Sequence, residues 1–128
     1  LMYASVKAGL AFSNTQTSIA HAISYYLTLH KEVPHGIACS ITLPTIADVV
    51  KGQSKEIDAA FQFIFGQADP LDVLERFFSQ LGVSTRLGDY HVEKTDLDQI
   101  KASLANNQRA GNSVVDTEQL FDRLAAKL

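Results

Sequence analysis

Apolar side chains recur along this chain at intervals of three and four residues and nowhere in a sustained two-residue alternation. The pattern therefore predicts helices almost throughout and no convincing strand. Leu1, Val6, Leu10 and Ala11 predict a first helix to about Phe12, with Gly9 leaving room for a neighbouring backbone. A polar break spans 13–17, and Thr17 or Ser18 is a suitable N-cap. Ile19, Ala20, Ile23, Tyr26, Leu27 and Leu29 then occupy much of the circumference of a second helix running to about His30, which marks that helix as buried.

Residues 31–34 read as a turn. Val33 is pushed out of helical dihedrals by the proline after it, and Pro34 suits a first helical position. Ile37, Ala38, Cys39, Ile41 and Leu43 predict a third helix, kinked at Pro44, resuming through Ile46, Val49 and Val50, and stopped by Gly52. Ile57, Ala60, Phe61 and Ile64 share one face of a helix over 55–65 that Gly66 ends. Asp69-Pro70 opens the next helix with an acidic cap and a proline at N1; its stripe is Leu71, Val73, Leu74, Phe77, Phe78 and Leu81, and Gly82 closes it. A loop over 83–92 precedes a helix capped by Thr95 or Asp96 and carrying Leu97, Ile100 and Leu104. A second loop over 106–113 precedes a last helix, opened by Asp116 or Thr117, with Leu120, Phe121 and Leu124. The expectation is one all-α domain of about seven helices, without internal repeats.

Composition narrows the function classes. At 128 residues, with 46% hydrophobic and 20% charged residues, the chain can bury a sizeable core and does not read as disordered. Its net charge is −3, and its eleven Lys and Arg are scattered, so a nucleic-acid partner is not expected. No apolar run approaches the roughly 18–20 residues of a membrane span, and the N-terminus lacks the pattern of a signal peptide. A single cysteine gives no disulfide framework, so a cytoplasmic location is expected. The chain starts at Leu1 directly in helical pattern, which suggests part of a longer protein.

Candidate chemistry concentrates between Gly9 and Pro44, which hold three of the four histidines and the only cysteine. His21 and His35 lie fourteen positions apart, about 21 Å on one unbroken helix and useless to a single ion. With a turn at Pro34, two antiparallel helices can bring both imidazoles to one point. Neutral imidazole suits zinc and ferrous iron, but such sites need three or four protein ligands, so the pair reads as half a metal site. The competing reading is a core histidine at position 21, satisfied by a backbone carbonyl, with His35 on a solvated turn. Gly36 leaves room for a ligand beside His35. His30 faces away from His21 and reads as surface, His91 sits in a polar loop without a role, and Cys39 reads as a small buried residue. Tyr25, one helical turn after His21, shares its face. No Gly-rich phosphate loop and no nucleophile–histidine arrangement stands out.

The segments AGLAFSN and IAHAISYYLTLHKEVPHGIACSITLP, read together, resemble a motif of the iron-containing (group III) alcohol dehydrogenases. That family typically reads AGxAFxNA, then HAxAHxLG, then PHGxANAxLLP. FFSQLGVSTRLGDYHV further resembles the family's LGLPTRLSDLGV, and the resemblance covers essentially the whole chain. The wording of HAISY and ACSITLP also resembles members that reduce small aldehydes with anionic heads, such as phosphonoacetaldehyde reductases.

The resemblance implies the family's C-terminal helical, dehydroquinate synthase-like domain, with His21 and His35 as the last two of four ligands to a divalent metal, Fe2+ or Zn2+. An aspartate and a histidine on an earlier helix, and an α/β domain binding NAD or NADP, would lie in a part of the protein that this sequence does not match. A histidine that the family places near nicotinamide and substrate is Tyr25 here, which would act as proton donor or shape the pocket. An asparagine of the motif is Cys39. The implied activity is metal-dependent hydride exchange between NAD(P) and a small alcohol or aldehyde, with the isolated 128 residues inactive. A non-catalytic helical interaction module from the same lineage is the alternative, and homo-oligomers are expected under either.

Overall fold

The computed structural model describes residues 1–13, 15, 17–105, 107–111 and 113–128, with residues 12, 108 and 109 as backbone. Among these the chain is helical and has no strand. Seven helices have eight residues or more: α1 (Met2–Phe12), α2 (Ile19–His30), α4 (Leu43–Val50), α5 (Lys55–Phe65), α6 (Pro70–Gln80), α7 (Lys94–Leu104) and α9 (Thr117–Ala125). Two single turns, α3 (His35–Ala38) and α8 (Gln108–Gly111), and a 3-10 turn at Leu87–Tyr90 complete the order. None of the described helices is long and apolar enough to cross a membrane.

Helix α2 is the axis of the core. Ile19, Ile23 and Leu27 recur every four residues along it, so they stack on one face, and all three are buried. They join Ile41, Val49 of α4, Leu97, Ile100 and Leu104 of α7, and Leu120, Phe121 and Leu124 of α9 in one cluster. Helix α2 packs directly on α3, α7 and α8. Leu29 is the exception to the all-round apolar reading of α2, because it points into solvent.

The turn after α2 is built more tightly than its sequence suggests. Glu32 takes a left-handed conformation with φ 54°, and the Val33 N–H donates back to the Leu27 carbonyl at 3.2 Å. Val33 is thereby buried as the anchor of the reversal. Lys31 in the same turn pairs with Asp96 at 2.7 Å, and the Tyr26 hydroxyl donates to Asp96 at 2.9 Å. The reversal is therefore tied both to the core and to the start of α7.

Several local expectations change. Pro34 is the N-cap of α3, not its first helical residue, and the third helix breaks over 39–42 before Pro44, which sits in the first turn of α4. A proline there forfeits no helical hydrogen bond, whereas a mid-helix proline would clash with the carbonyl four residues back. Helix α7 is capped by Glu93, with Asp96 completing a reciprocal capping box, rather than by Thr95 or Asp96. The expected loop over 83–92 contains the 3-10 turn, and the expected loop over 106–113 contains α8; positions 106 and 112 lie outside the described residues. Asp69 and Asp116 cap as expected, accepting from Leu71 N–H and Gln119 N–H.

The apolar stripes outside this core are less covered than their periodicity predicts. Ile64 of α5, Phe77 of α6 and Leu81 beyond it are exposed, and Phe63 is 90% exposed. Every described side chain of α1 is exposed, and a Cβ at Gly9 would meet nothing within 4 Å.

Candidate metal centre

Helical spacing builds the site. His21, Tyr25 and Thr28 are at positions i, i+4 and i+7 of α2, and Ser24 stands at i+3, so the four form a polar stripe beside the apolar Ile19–Ile23–Leu27 face. On α3 and its C-cap, His35 and Cys39 are likewise four apart and face the same way. The Glu32 reversal lays this second pair against the stripe.

The rings of His21 and His35 meet edge to face, with centroids 5.1 Å apart. Tyr25 lies edge-on to His21 at 5.0 Å and tilted to His35 at 6.2 Å. Cys39 sits between the imidazoles: its Sγ is 3.2 Å from His21 Nδ1 and 3.5 Å from His35 Nε2. One ligand atom from each of His21, His35 and Cys39 can be chosen so that all lie within 4.8 Å of one another. His21 and Cys39 are half-buried and His35 is exposed, so the cluster is open to one side.

Neighbouring hydroxyls hold these groups in place. The Cys39 thiol donates to Ser24 Oγ at 3.2 Å, and the fully buried Ser24 hydroxyl donates to the His21 carbonyl at 2.7 Å. His21 Nδ1 stands within hydrogen-bond reach of the same sulfur, so the thiol and the imidazole hold each other in place. Thr28 Oγ1 stands 3.3 Å from His35 Nδ1 and orients that ring in turn. A Cβ at Gly36 would meet nothing within 4 Å, so space beside His35 is free. Two imidazole nitrogens and one sulfur suit a divalent transition metal such as zinc or iron better than magnesium or calcium, which prefer oxygen.

Of the residues singled out by sequence, His21, Tyr25 and His35 come together, while His30 stacks on Tyr26 at 4.4 Å, away from them. His91 ends the 3-10 turn in a left-handed conformation and does not approach the cluster. Cys39, expected as a small buried residue, is only half-buried, and its sulfur stands between the two imidazoles. Its position four residues after His35, on a segment of helical pattern, was the available signal.

This arrangement defines a helical domain in which ligand atoms of two histidines and a cysteine lie within 4.8 Å of one another. The chain belongs to the Fe-containing alcohol dehydrogenase family, whose C-terminal part it matches over residues 1–122. It is similar to the sulfoacetaldehyde reductase of Bilophila wadsworthia (30% identity, covering 88% of this chain and 34% of the relative). It is similar also to the 1,3-propanediol dehydrogenase of Citrobacter freundii (28% identity, 75% of this chain and 28% of the relative). A third relative is the probable alcohol dehydrogenase EutG of Escherichia coli (27% identity, 70% and 24%). The chain thus spans about a third or less of the length of these relatives. No solved structure matches it.

Proposed function

We propose that this chain is the metal-binding helical domain of an NAD(P)-dependent alcohol dehydrogenase or aldehyde reductase, with His21 and His35 as two ligands of a divalent metal. The observation that carries the reading is the convergence of two imidazoles, fourteen positions apart in sequence, to a centroid distance of 5.1 Å in a member of this family. The relatives' names point to short substrates; one is a reductase of sulfoacetaldehyde and another a dehydrogenase of 1,3-propanediol.

The bound metal, Fe2+ or Zn2+, would supply Lewis acidity to the alcohol or aldehyde oxygen. His21 and His35 would hold it, with Cys39 against the His21 ring, Ser24 against Cys39, and Thr28 beside His35. Tyr25 lies against both rings, and its hydroxyl would serve as proton donor or acceptor toward the reacting oxygen or shape the pocket. Further metal ligands and the NAD(P) site belong to the rest of the dehydrogenase, and the 128 residues alone are inactive.

The test uses the intact gene product loaded with Fe2+ or Zn2+ and a panel of short aldehydes with NADH and NADPH. Metal-dependent oxidation of NAD(P)H supports the reading, and Tyr25→Phe then lowers kcat with little change in KM. A metal-loaded protein that oxidises neither nucleotide with any member of the panel overturns it.

A second reading, a non-catalytic interaction module, is favoured by one observation: the exposed Phe63, Ile64, Phe77 and Leu81 on and beside α5 and α6. Exposed apolar groups in number mark contact surfaces. A native gene product near 14 kDa that self-associates supports this module; a product about three times larger supports the dehydrogenase.

A further inference from the structure

The geometry points to Cys39 as a third, thiolate ligand of the metal held by His21 and His35, so that this half of the site offers two nitrogens and one sulfur and is selective for zinc-like over magnesium-like ions. The inference rests on the metal-site reading above and goes beyond it, because neither the histidine pair nor the family resemblance assigns Cys39 a role.

Four observations carry it. First, Sγ is the atom that both imidazoles approach, at 3.2 Å from His21 Nδ1 and 3.5 Å from His35 Nε2. Zinc–sulfur and zinc–nitrogen bonds of about 2.3 and 2.0–2.1 Å at tetrahedral angles put nitrogen and sulfur about 3.5 Å apart, so these two edges already have the length that a shared ion requires. Second, one donor atom from each of the three residues can be chosen so that all lie within 4.8 Å of one another, with His35 exposed on the open side. Third, Cys39 lies one helical turn after His35 on the same face, so the two donors are positioned as a unit. Fourth, Ser24 Oγ, on a fully buried residue, stands 3.2 Å from the sulfur, and its hydroxyl turns from the His21 carbonyl to donate to the thiolate once the thiol proton has left.

The chemistry of the step is simple. The metal–sulfur bond forms as the S–H bond breaks, and the thiol proton leaves to solvent. The His21 nitrogen that faces the ion must present its lone pair, so the ring binds as neutral imidazole with its proton on the other nitrogen. Thiolate favours zinc and related soft or borderline ions, whereas magnesium and manganese prefer oxygen. A site with Cys39 should therefore discriminate among metals more sharply than one whose contribution from this domain is imidazole alone.

The experiment uses the intact protein stripped of metal and titrated with Co2+ as a spectroscopic stand-in for zinc. Wild type is compared with Cys39→Ser, Cys39→Asn and His35→Ala, with circular dichroism as the check on folding. The expected result is a near-ultraviolet thiolate-to-cobalt charge-transfer band in wild type that both Cys39 variants lose. Zinc affinity should fall by more than about tenfold in those variants, since the loss of even an outer partner costs about 10–100-fold. Bound metal should also protect the wild-type thiol from alkylation. Cobalt that binds with the affinity of wild type in Cys39→Ser and shows no charge-transfer band in wild type overturns the inference, leaving Cys39 as a support for the His21 ring and the histidine site intact. Failure of wild type to bind cobalt or zinc at all overturns the metal-site reading as well. Should a Cys39 variant fail to fold, the wild-type band and the alkylation protection decide the matter alone.

Discussion

His21 and His35 stand edge to face at 5.1 Å across a reversal that Glu32 makes by entering the left-handed region. Their proximity is a property of that turn, because the fourteen positions between them would separate them widely on a continuous helix. Two side chains that meet only through a turn can be removed singly without touching the core.

His35→Ala should show this most cleanly, since His35 is exposed. Loss of one imidazole should reduce bound zinc or iron in the intact protein by at least about tenfold. The far-ultraviolet circular dichroism and the melting temperature of the metal-free protein should stay unchanged. Undiminished metal content after dialysis against a weak chelator would count against His35 as a ligand.

Asp96 gives a pH-dependent contribution to stability. Burial disfavours its charge, yet the Lys31 ammonium, the Glu93 N–H and the Tyr26 hydroxyl outweigh that and hold its carboxyl below the usual carboxylate range. A lowered folded-state pKa means that the contribution is complete above the unfolded value of about 3.9 and is lost as the pH falls through the folded value. Asp96→Asn should therefore cost about 2 kcal/mol near neutral pH, through the ion pair and the capping box, and progressively less as the pH falls below the unfolded value. Urea midpoints near neutral pH and below the unfolded value measure the difference; an equal loss at both would contradict this account.

Gly88 contrasts with Gly9. A Cβ at Gly88 would lie 2.7 Å from the backbone carbonyl carbon of Leu128, and the Gly88 N–H donates to the Lys127 carbonyl at 3.2 Å. Gly88→Ala should lower stability by about 1–3 kcal/mol, as overpacking does. Gly9→Ala, in open space on α1, should not lower it and gains in helix propensity. Thermal unfolding of the two variants side by side checks the pair, and equal melting temperatures would refute the contact.

Thr42 and Thr45 are buried, and their hydroxyl oxygens have no hydrogen-bond partner among the described residues. Replacing Thr42 by Val keeps the shape and removes a polar atom that burial penalises. Thr42→Val should leave stability unchanged or raise it by about 1 kcal/mol. A clear fall in the denaturant midpoint would reveal a partner for that hydroxyl.

Much of this architecture was readable from residue order alone. The three-and-four spacing of Ile19, Ile23 and Leu27, the Asp69-Pro70 start and the Asp116 cap are local signals. Local periodicity and capping chemistry determine helices whatever they pack against. The fourteen-residue histidine pair, with Tyr25 on the face of His21, was visible for the same reason.

What a stripe packs against is a different matter, and here the tertiary structure decided. The periodicity of α5 and α6 resembles that of a buried face, yet Ile64 and Phe77 are exposed, because periodicity states which side chains share a face and not whether another element covers it. The break over 39–42 ahead of Pro44 was signalled locally, but its extent, a full separation of α3 from α4, was not. Cys39 is the sharpest case. Its residue type and neighbours gave a small core side chain, and only the left-handed turn at Glu32, by aligning two helical faces, set its sulfur between the two histidines.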